Sequence, residues 1–280
     1  MRHIGAHCVL VVLSTLFIAP LAWMVSSSMK SPGEAIRHPF ALPATVHISN
    51  YAESVRAMGA FNETDPTTGF ARLAVNTVAV TMLAVVFNVF TCSLAGYAFA
   101  RLRFRGKSSL FLMVLATMML PVQVTVIPQF IMFQELGWID TYLPLLVPCL
   151  LGGNPFFIFL FRQYFLSIPK DVVESAHIDG CGWWGIYWRI MLPLARPAIA
   201  TASLLALLWT WNDLWTPLVY LNSPEKATLT LALSGFSRSY RIDVELLMAA
   251  STIVVLPCII LYFLTQKYFV RGIQLSASKG

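Results

Sequence analysis

The chain has 280 residues, of which 58% are apolar and only 11% charged, with a mean hydropathy of +0.71. A soluble domain runs at about half apolar and about a quarter charged, so this composition excludes an ordinary soluble enzyme, a disordered chain and a secreted disulfide scaffold. The net charge of +6 suggests nucleic acid at first sight, but no basic cluster is interleaved with exposed aromatics as such binding requires.

Apolar runs of about 18 residues or more predict membrane helices. Six occur, at Cys8–Met29, Leu73–Ala100, Ser109–Phe130, Tyr142–Phe161, Ala198–Leu221 and Leu246–Phe269. No period-two segments of barrel type appear, and backbone polar groups in lipid must pair within their own segment. The predicted fold class is therefore all-α, a polytopic membrane protein of six transmembrane helices. Pro20, Pro121, Pro128, Pro148, Pro217 and Pro257 predict kinks or ends inside these runs. The first run follows Arg2, as a signal peptide's would, but it is longer than a signal core and lacks an A-x-A site. It is read as an uncleaved span.

Lys and Arg set the orientation. With the N-terminus inside, twelve basic residues fall on the cytoplasmic side and seven outside, and the run Arg101-Leu102-Arg103-Phe104-Arg105-Gly106-Lys107 joins spans two and three. Both termini are expected in the cytoplasm. The domain reading is a first helix with a long outer loop (1–72), a core of five helices (73–270) with an inner loop at 162–197, and a cytoplasmic tail (271–280).

Candidate chemistry is sparse. The five histidines have no metal-ligand spacing. The five cysteines are scattered without a C-x-x-C pair and read as small apolar filler. Gly106-Lys107-Ser108 ends like a nucleotide loop, but Arg101 stands where that motif needs its first glycine. No catalytic, cofactor-binding or metal site is expected in this chain.

The inner loop carries more information. Pro169 followed by Asp171 and Glu174 is a helix start, and Gly180 is a helix stop. A second short helix is predicted from Trp183 to about Met191, ending before Pro193. From these residues alone, docking on a partner and lying on the lipid surface remain equally open, because Trp183, Trp184, Tyr187 and Trp188 suit an interface. Asn62-Glu63-Thr64 matches a glycosylation sequon and is read as chance. Asp213 is the one acid inside a predicted run, where it would line a path with Trp211 and Asn212, tie helices together or relay a proton.

Resemblance extends this reading. Glu174-Ser175-Ala176-x3-Gly180-x9-Ile190-x-Leu192-Pro193 resembles the EAA loop of permease subunits in binding-protein-dependent ABC importers, with Ser175 where alanine is usual. Ala95–Gly106, the segments around Ile168-Pro169, Ile178-Asp179-Gly180 and Leu192–Pro197, Trp211–Leu218 and Phe269–Gly272 resemble the carbohydrate-type branch, from about residue 73 onward. The resemblance implies the type I importer permease fold and a transport subunit rather than an enzyme. It implies a bacterial cytoplasmic membrane location and cargo that is a sugar, an oligosaccharide or a related polyol or phosphate ester. Implied partners are a second, non-identical permease, two copies of an ATP-binding subunit that hold ATP and Mg, an extracytoplasmic solute-binding protein and the bilayer, with no nucleic acid. It implies ATPase coupling through Glu174, Ser175, Ala176, Asp179, Gly180, Ile190, Leu192 and Pro193, with Ala176 and Gly180 allowing close approach, and a tail contact through Lys279 and Gly280. The alternative is an ion-coupled secondary transporter, which predicts inverted repeats and several intramembrane ionisable residues.

Overall fold

A computed structural model describes residues 2–60, 66–235 and 243–277. All its described regular structure is helical. In chain order the helices are α1 (Arg2–Ser28), α2 (Glu34–Arg37), α3 (Ser49–Ala60), α4 (Pro66–Arg101), α5 (Lys107–Thr117), α6 (Val122–Glu135), α7 (Leu143–Leu150), α8 (Pro155–Ser167), α9 (Lys170–Ile178) and α10 (Trp183–Ile186). A π-helical turn (Tyr187–Met191) leads into α11 (Leu192–Leu194), α12 (Arg196–Trp211) and α13 (Trp215–Tyr220). A 3₁₀ turn (Pro224–Lys226), α14 (Leu229–Gly235) and α15 (Val244–Ala277) complete the order.

Four helical stretches are long and apolar enough to cross a membrane: Gly5–Ser28, Gly69–Arg101, Leu143–Ser167 and Val244–Leu264. The count reaches six only if two bent pairs each serve as one span. The predicted third run is one of these pairs. Helices α5 and α6 meet at 99°, because Pro121 offers no amide and disfavours helical backbone at the residue before it. The fourth run is longer than expected and interrupted. Gly152, at φ +80°, ends the first half; Asn154 then caps α8 by accepting the Phe156 amide at 3.1 Å, with Pro155 at the first helical position. The fifth run departs most from the sequence expectation. Its helix stops at Trp211 rather than continuing to Leu221, and α12 pairs instead with the Trp183–Leu194 stretch, bent by 77°.

Packing divides the chain into two units, residues 1–75 with 227–260, and residues 76–226 with 261–280. The two long helices α4 and α15 each contribute to both units.

In the first unit, none of the apolar window of α1 is buried within the chain. A helix apolar on all sides needs lipid or another protein around it. Beyond it, polar groups build a clasp. Lys30 is fully buried and donates to the carbonyls of His38 and Pro39 at 2.9 and 3.0 Å. Asn50 donates to the carbonyls of Ser28 and Lys30. Glu34 accepts from the Ser31 hydroxyl and amide and from the Ala44 amide. The Ser31 hydroxyl, followed by these amides, pulls the Glu34 carboxyl down to about 2. Glu245, buried in the first turn of α15, accepts the Ala35 amide at 3.1 Å. The sequence reading, which began its last run at Leu246, missed this second buried acid.

In the second unit, α4 packs on α8 through Gly96. A Cβ at that position would lie 2.6 Å from the Phe161 Cβ and 2.9 Å from the Arg162 amide nitrogen. Around this crossing lies the core of Cys92, Tyr97, Phe157, Phe161, Phe165, Tyr187 and Met191. At another corner, Asp140 takes a left-handed φ of 59°. Its carboxylate accepts the Asn222 and Ser223 amides, the Ser223 hydroxyl and Lys226 Nζ. Desolvation pushes that carboxyl up, but the Ser223, Lys226 and Asn222 donors together hold it well below the usual carboxylate range.

Candidate functional site

Helix α9 begins at Lys170, with Pro169 at its cap, and places Asp171 in its first turn where the helix dipole favours a carboxylate. Val173 and Ala176, three residues apart, turn into the core. Glu174, Ser175, Ile178 and Asp179 are exposed. The sequence reading gave Ala176 to a partner's close approach, but its small side chain packs against this chain's own interior. Gly180 ends the helix at φ +79°. The Gly180 amide donates to the His177 carbonyl at 3.0 Å and the Cys181 amide to the Ala176 carbonyl at 2.9 Å, a Schellman ending. A Cβ at Gly180 would meet no other atom of this chain within 4 Å, so within the chain the requirement for glycine comes from its backbone angle.

The loop continues through a helical stretch that the sequence reading ended before Pro193. Instead, the π turn at Tyr187–Met191 leads directly into α11, which contains Pro193. Widening the helix by one residue changes which carbonyl faces the proline ring, and so accommodates it. Ile190 and Leu192 are half-buried against the core, while Pro193 is exposed.

Four side chains from neighbouring helices hold this loop. The Tyr97 hydroxyl donates to the Trp183 carbonyl at 3.1 Å. Ser93 Oγ and the Tyr187 hydroxyl share a buried hydrogen bond of 2.8 Å. Tyr164 donates to the Leu194 carbonyl at 3.1 Å, and Phe165 packs in the same core. Within the loop, the rings of His177 and Trp183 meet edge to face at 4.3 Å. The exposed face of α9 thus stands on a fixed base, and α4 supplies two of the fixing residues.

The basic run after α4 has structural work of its own. Arg101 donates to the carbonyls of Phe165 and Ile168 at the end of α8. Lys107 donates to the Leu102 carbonyl at 3.0 Å. Both satisfy carbonyls that a helix end leaves open. A cleft of about 780 Å³ lies between this run and α9, lined by Arg101, Arg103, Lys107, Lys170, Glu174 and His177 among others.

Asn212 and Asp213 sit in the break between α12 and α13. Asn212 Nδ2 donates back to the Leu208 carbonyl at 2.8 Å, and Asp213 accepts the Thr216 amide at 3.1 Å, capping the start of α13. Both residues line a second cavity of about 770 Å³, with Asn88 of α4, Cys149, Asn154, Phe157 and Trp209. Trp211, grouped with them in the sequence reading, is buried elsewhere and is not part of that lining. Asn88 and Asn154 escaped the sequence reading because an amide carries no charge and each stands alone in an apolar stretch. Lys279 and Gly280 lie outside the described residues. Among the described residues, no group of three or more His, Cys, Asp or Glu side chains is placed to hold a metal ion.

Comparison with known proteins agrees with this architecture. Residues 92–275 match the family of binding-protein-dependent transport system inner membrane components. The chain is 35% identical over 281 residues to the probable ABC transporter permease protein YurM of Bacillus subtilis (strain 168), covering 99% of this chain and 90% of that one. It is 31% identical over 271 residues to the arabinooligosaccharides transport system permease protein AraQ of Halalkalibacterium halodurans, covering 96% and 93%. A chain in the crystal structure of a bacterial ABC transporter involved in the import of the acidic polysaccharide alginate superposes with a TM-score of 0.78 at 25% identity, covering 96% of each chain.

Proposed function

We propose a working mechanism for this chain, which belongs to the family of binding-protein-dependent transport system inner membrane components. The chain is a permease subunit of an ABC importer, a transport component and not an enzyme. In our reading it forms half of the path for a sugar or related solute. The names of the relatives, one of which carries arabinooligosaccharides, support that cargo class.

The exposed face of α9, with Glu174, Ser175 and Asp179, receives an ATPase subunit, and ATP and Mg act there rather than in this chain. The observation that carries this reading is the anchoring of the loop. Tyr97 and Ser93 fasten it to α4, and nine residues from Tyr97 along that helix Asn88 reaches the second cavity. At 1.5 Å per residue the separation is about 14 Å, spanned by unbroken α-helix. A push on α9 is thereby delivered by a stiff rod to the wall of the path.

The full assembly in this proposal pairs the chain with a second permease, two ATP-binding subunits and an external solute-binding protein. The excess of Lys and Arg in the inner loops supports placing both termini in the cytoplasm. A tail contact with the ATPases through Lys279 and Gly280 is part of the same proposal.

The test uses the assembled transporter in proteoliposomes, with solute uptake and ATP hydrolysis measured together. Glu174→Lys and Gly180→Asp are expected to leave the complex inserted and hydrolysing ATP while uptake is lost. Wild-type uptake in both variants overturns the coupling role.

A further inference from the structure

We infer that the cavity walled by Asn88, Cys149, Asn154, Trp209, Asn212 and Asp213 is a cargo subsite for an uncharged polyhydroxyl solute, and that Asp213 turns anionic cargo away. This narrows the proposed function and rests on its sugar-importer reading.

The size is suitable, since about 770 Å³ lies within the range of about 300–1,000 Å³ typical of small-molecule sites. The lining offers three side-chain amides, which both donate and accept, and so match hydroxyl groups that do the same. Asn88 is 5% exposed and spends its Nδ2 on the Ala84 carbonyl of its own helix at 3.0 Å. Its Oδ1 is buried with no hydrogen-bond partner, while the amide group of the same side chain also reaches the Cys149 sulfur. Buried polar atoms are nearly always paired, so an orphan acceptor in the cavity wall is a place where a cargo hydroxyl donates. Trp209 adds a flat apolar surface. Its ring rests against Phe156 and Phe157 at centroid distances of 5.4 and 5.1 Å while remaining half exposed, which suits the C–H face of a sugar ring.

Charge decides between cargo classes. The described lining contains one carboxylate, Asp213, and no Lys or Arg. An anion there meets repulsion that the surrounding apolar wall strengthens. The chain does have a group of cations, but Arg101, Arg103, Lys107 and Lys170 collect in the other cleft. A phosphate ester or a uronate therefore meets no counter-charge in the described lining of this cavity.

The test uses the whole transporter with its own binding protein and a panel of labelled mono-, di- and trisaccharides, each paired with the same sugar oxidised to a uronate at C6. ATP-dependent uptake of neutral members at least tenfold above their uronates is expected. Asp213→Asn keeps an oxygen able to cap α13 but removes the charge, so uronate uptake should rise at least fivefold relative to neutral uptake. Asp213→Glu should restore the exclusion. Because the binding protein is identical throughout, a changed ratio originates in the permease. Asn88→Leu should cut neutral uptake at least tenfold. Equal uptake of a sugar and its uronate by wild type, or an unchanged ratio in Asp213→Asn, overturns the inference. Uptake of no panel member overturns the sugar-importer reading itself, and the inference with it.

Discussion

Ser93 of α4 and Tyr187 of the loop's π turn share a hydrogen bond of 2.8 Å in the dry core, where both side chains are at most 1% exposed. Removing Ser93 leaves the Tyr187 hydroxyl buried without this bond, at a cost of about 1–3 kcal/mol, whereas Ser93 Oγ also donates to the Phe90 carbonyl at 3.0 Å. Ser93→Ala should therefore lower the thermal stability of the purified complex, whereas adding Tyr187→Phe should recover much of the loss. A double-mutant cycle of melting measurements checks this, and strict additivity of the two losses would argue against the pairing.

Gly96 is a point of close approach between α4 and α8. Gly96→Ala would normally favour a helix by about 1 kcal/mol, but here the added methyl meets the Phe161 Cβ and the backbone of Arg162. Overpacking of this kind costs about 1–3 kcal/mol, so the clash wins. Reduced yield and an earlier melting transition are expected, to be compared with Gly5→Ala, where a Cβ meets nothing within 4 Å.

The Glu34 clasp gives a pH dependence with a definite sign. Its carboxyl titrates at about 2 in the folded chain against an ordinary value of 4.5. A depressed carboxyl contributes stability that is fully present above its unfolded value and is lost as pH falls through the folded one. The stability difference between wild type and Glu34→Gln should thus be constant above about pH 5, and shrink between pH 4.5 and 2. Melting curves across that range measure it. Ser31→Ala, which removes the strongest stabiliser of the carboxylate, should move the loss to higher pH.

Asp140 separates its charge from its hydrogen bonds. The Lys226 pair is partly exposed, with side chains 38% and 27% accessible, so Lys226→Ala should cost under about 1 kcal/mol. Asp140→Ala should cost more, because it strands the Asn222 and Ser223 amides and keeps a non-glycine residue at positive φ. Asp140→Gly relieves the backbone and should melt above Asp140→Ala. The melting order Lys226→Ala, Asp140→Gly, Asp140→Ala from most to least stable tests the assignment.

Much of the architecture was legible in the residues alone. Length of apolar run dictated helices in lipid, since an unpaired backbone has no solvent there, and Gly180 announced the end of α9 because few other residues accept its φ. The helix breaks were only partly legible. Pro121 marked one of them, but Pro155, which opens α8, was not among the prolines read as kinks. Nothing in Trp211–Leu214 is a strong breaker, and the stop there relies on Asp213 capping the next helix.

Sequence by itself determined that this chain lives in a membrane, is helical and carries the loop pattern of its family, because hydropathy, helix punctuation and motif spacing are local properties. Only the tertiary structure decided that Ala176 faces inward, that Arg101 and Lys107 serve helix ends, that Asn88, Asn154 and Asp213 share one cavity while Trp211 does not, and that Tyr97 and Ser93 hold the loop. Those facts depend on which faces of distant helices meet. A chain's local pattern says that a face is apolar or polar, and close packing then chooses its partner.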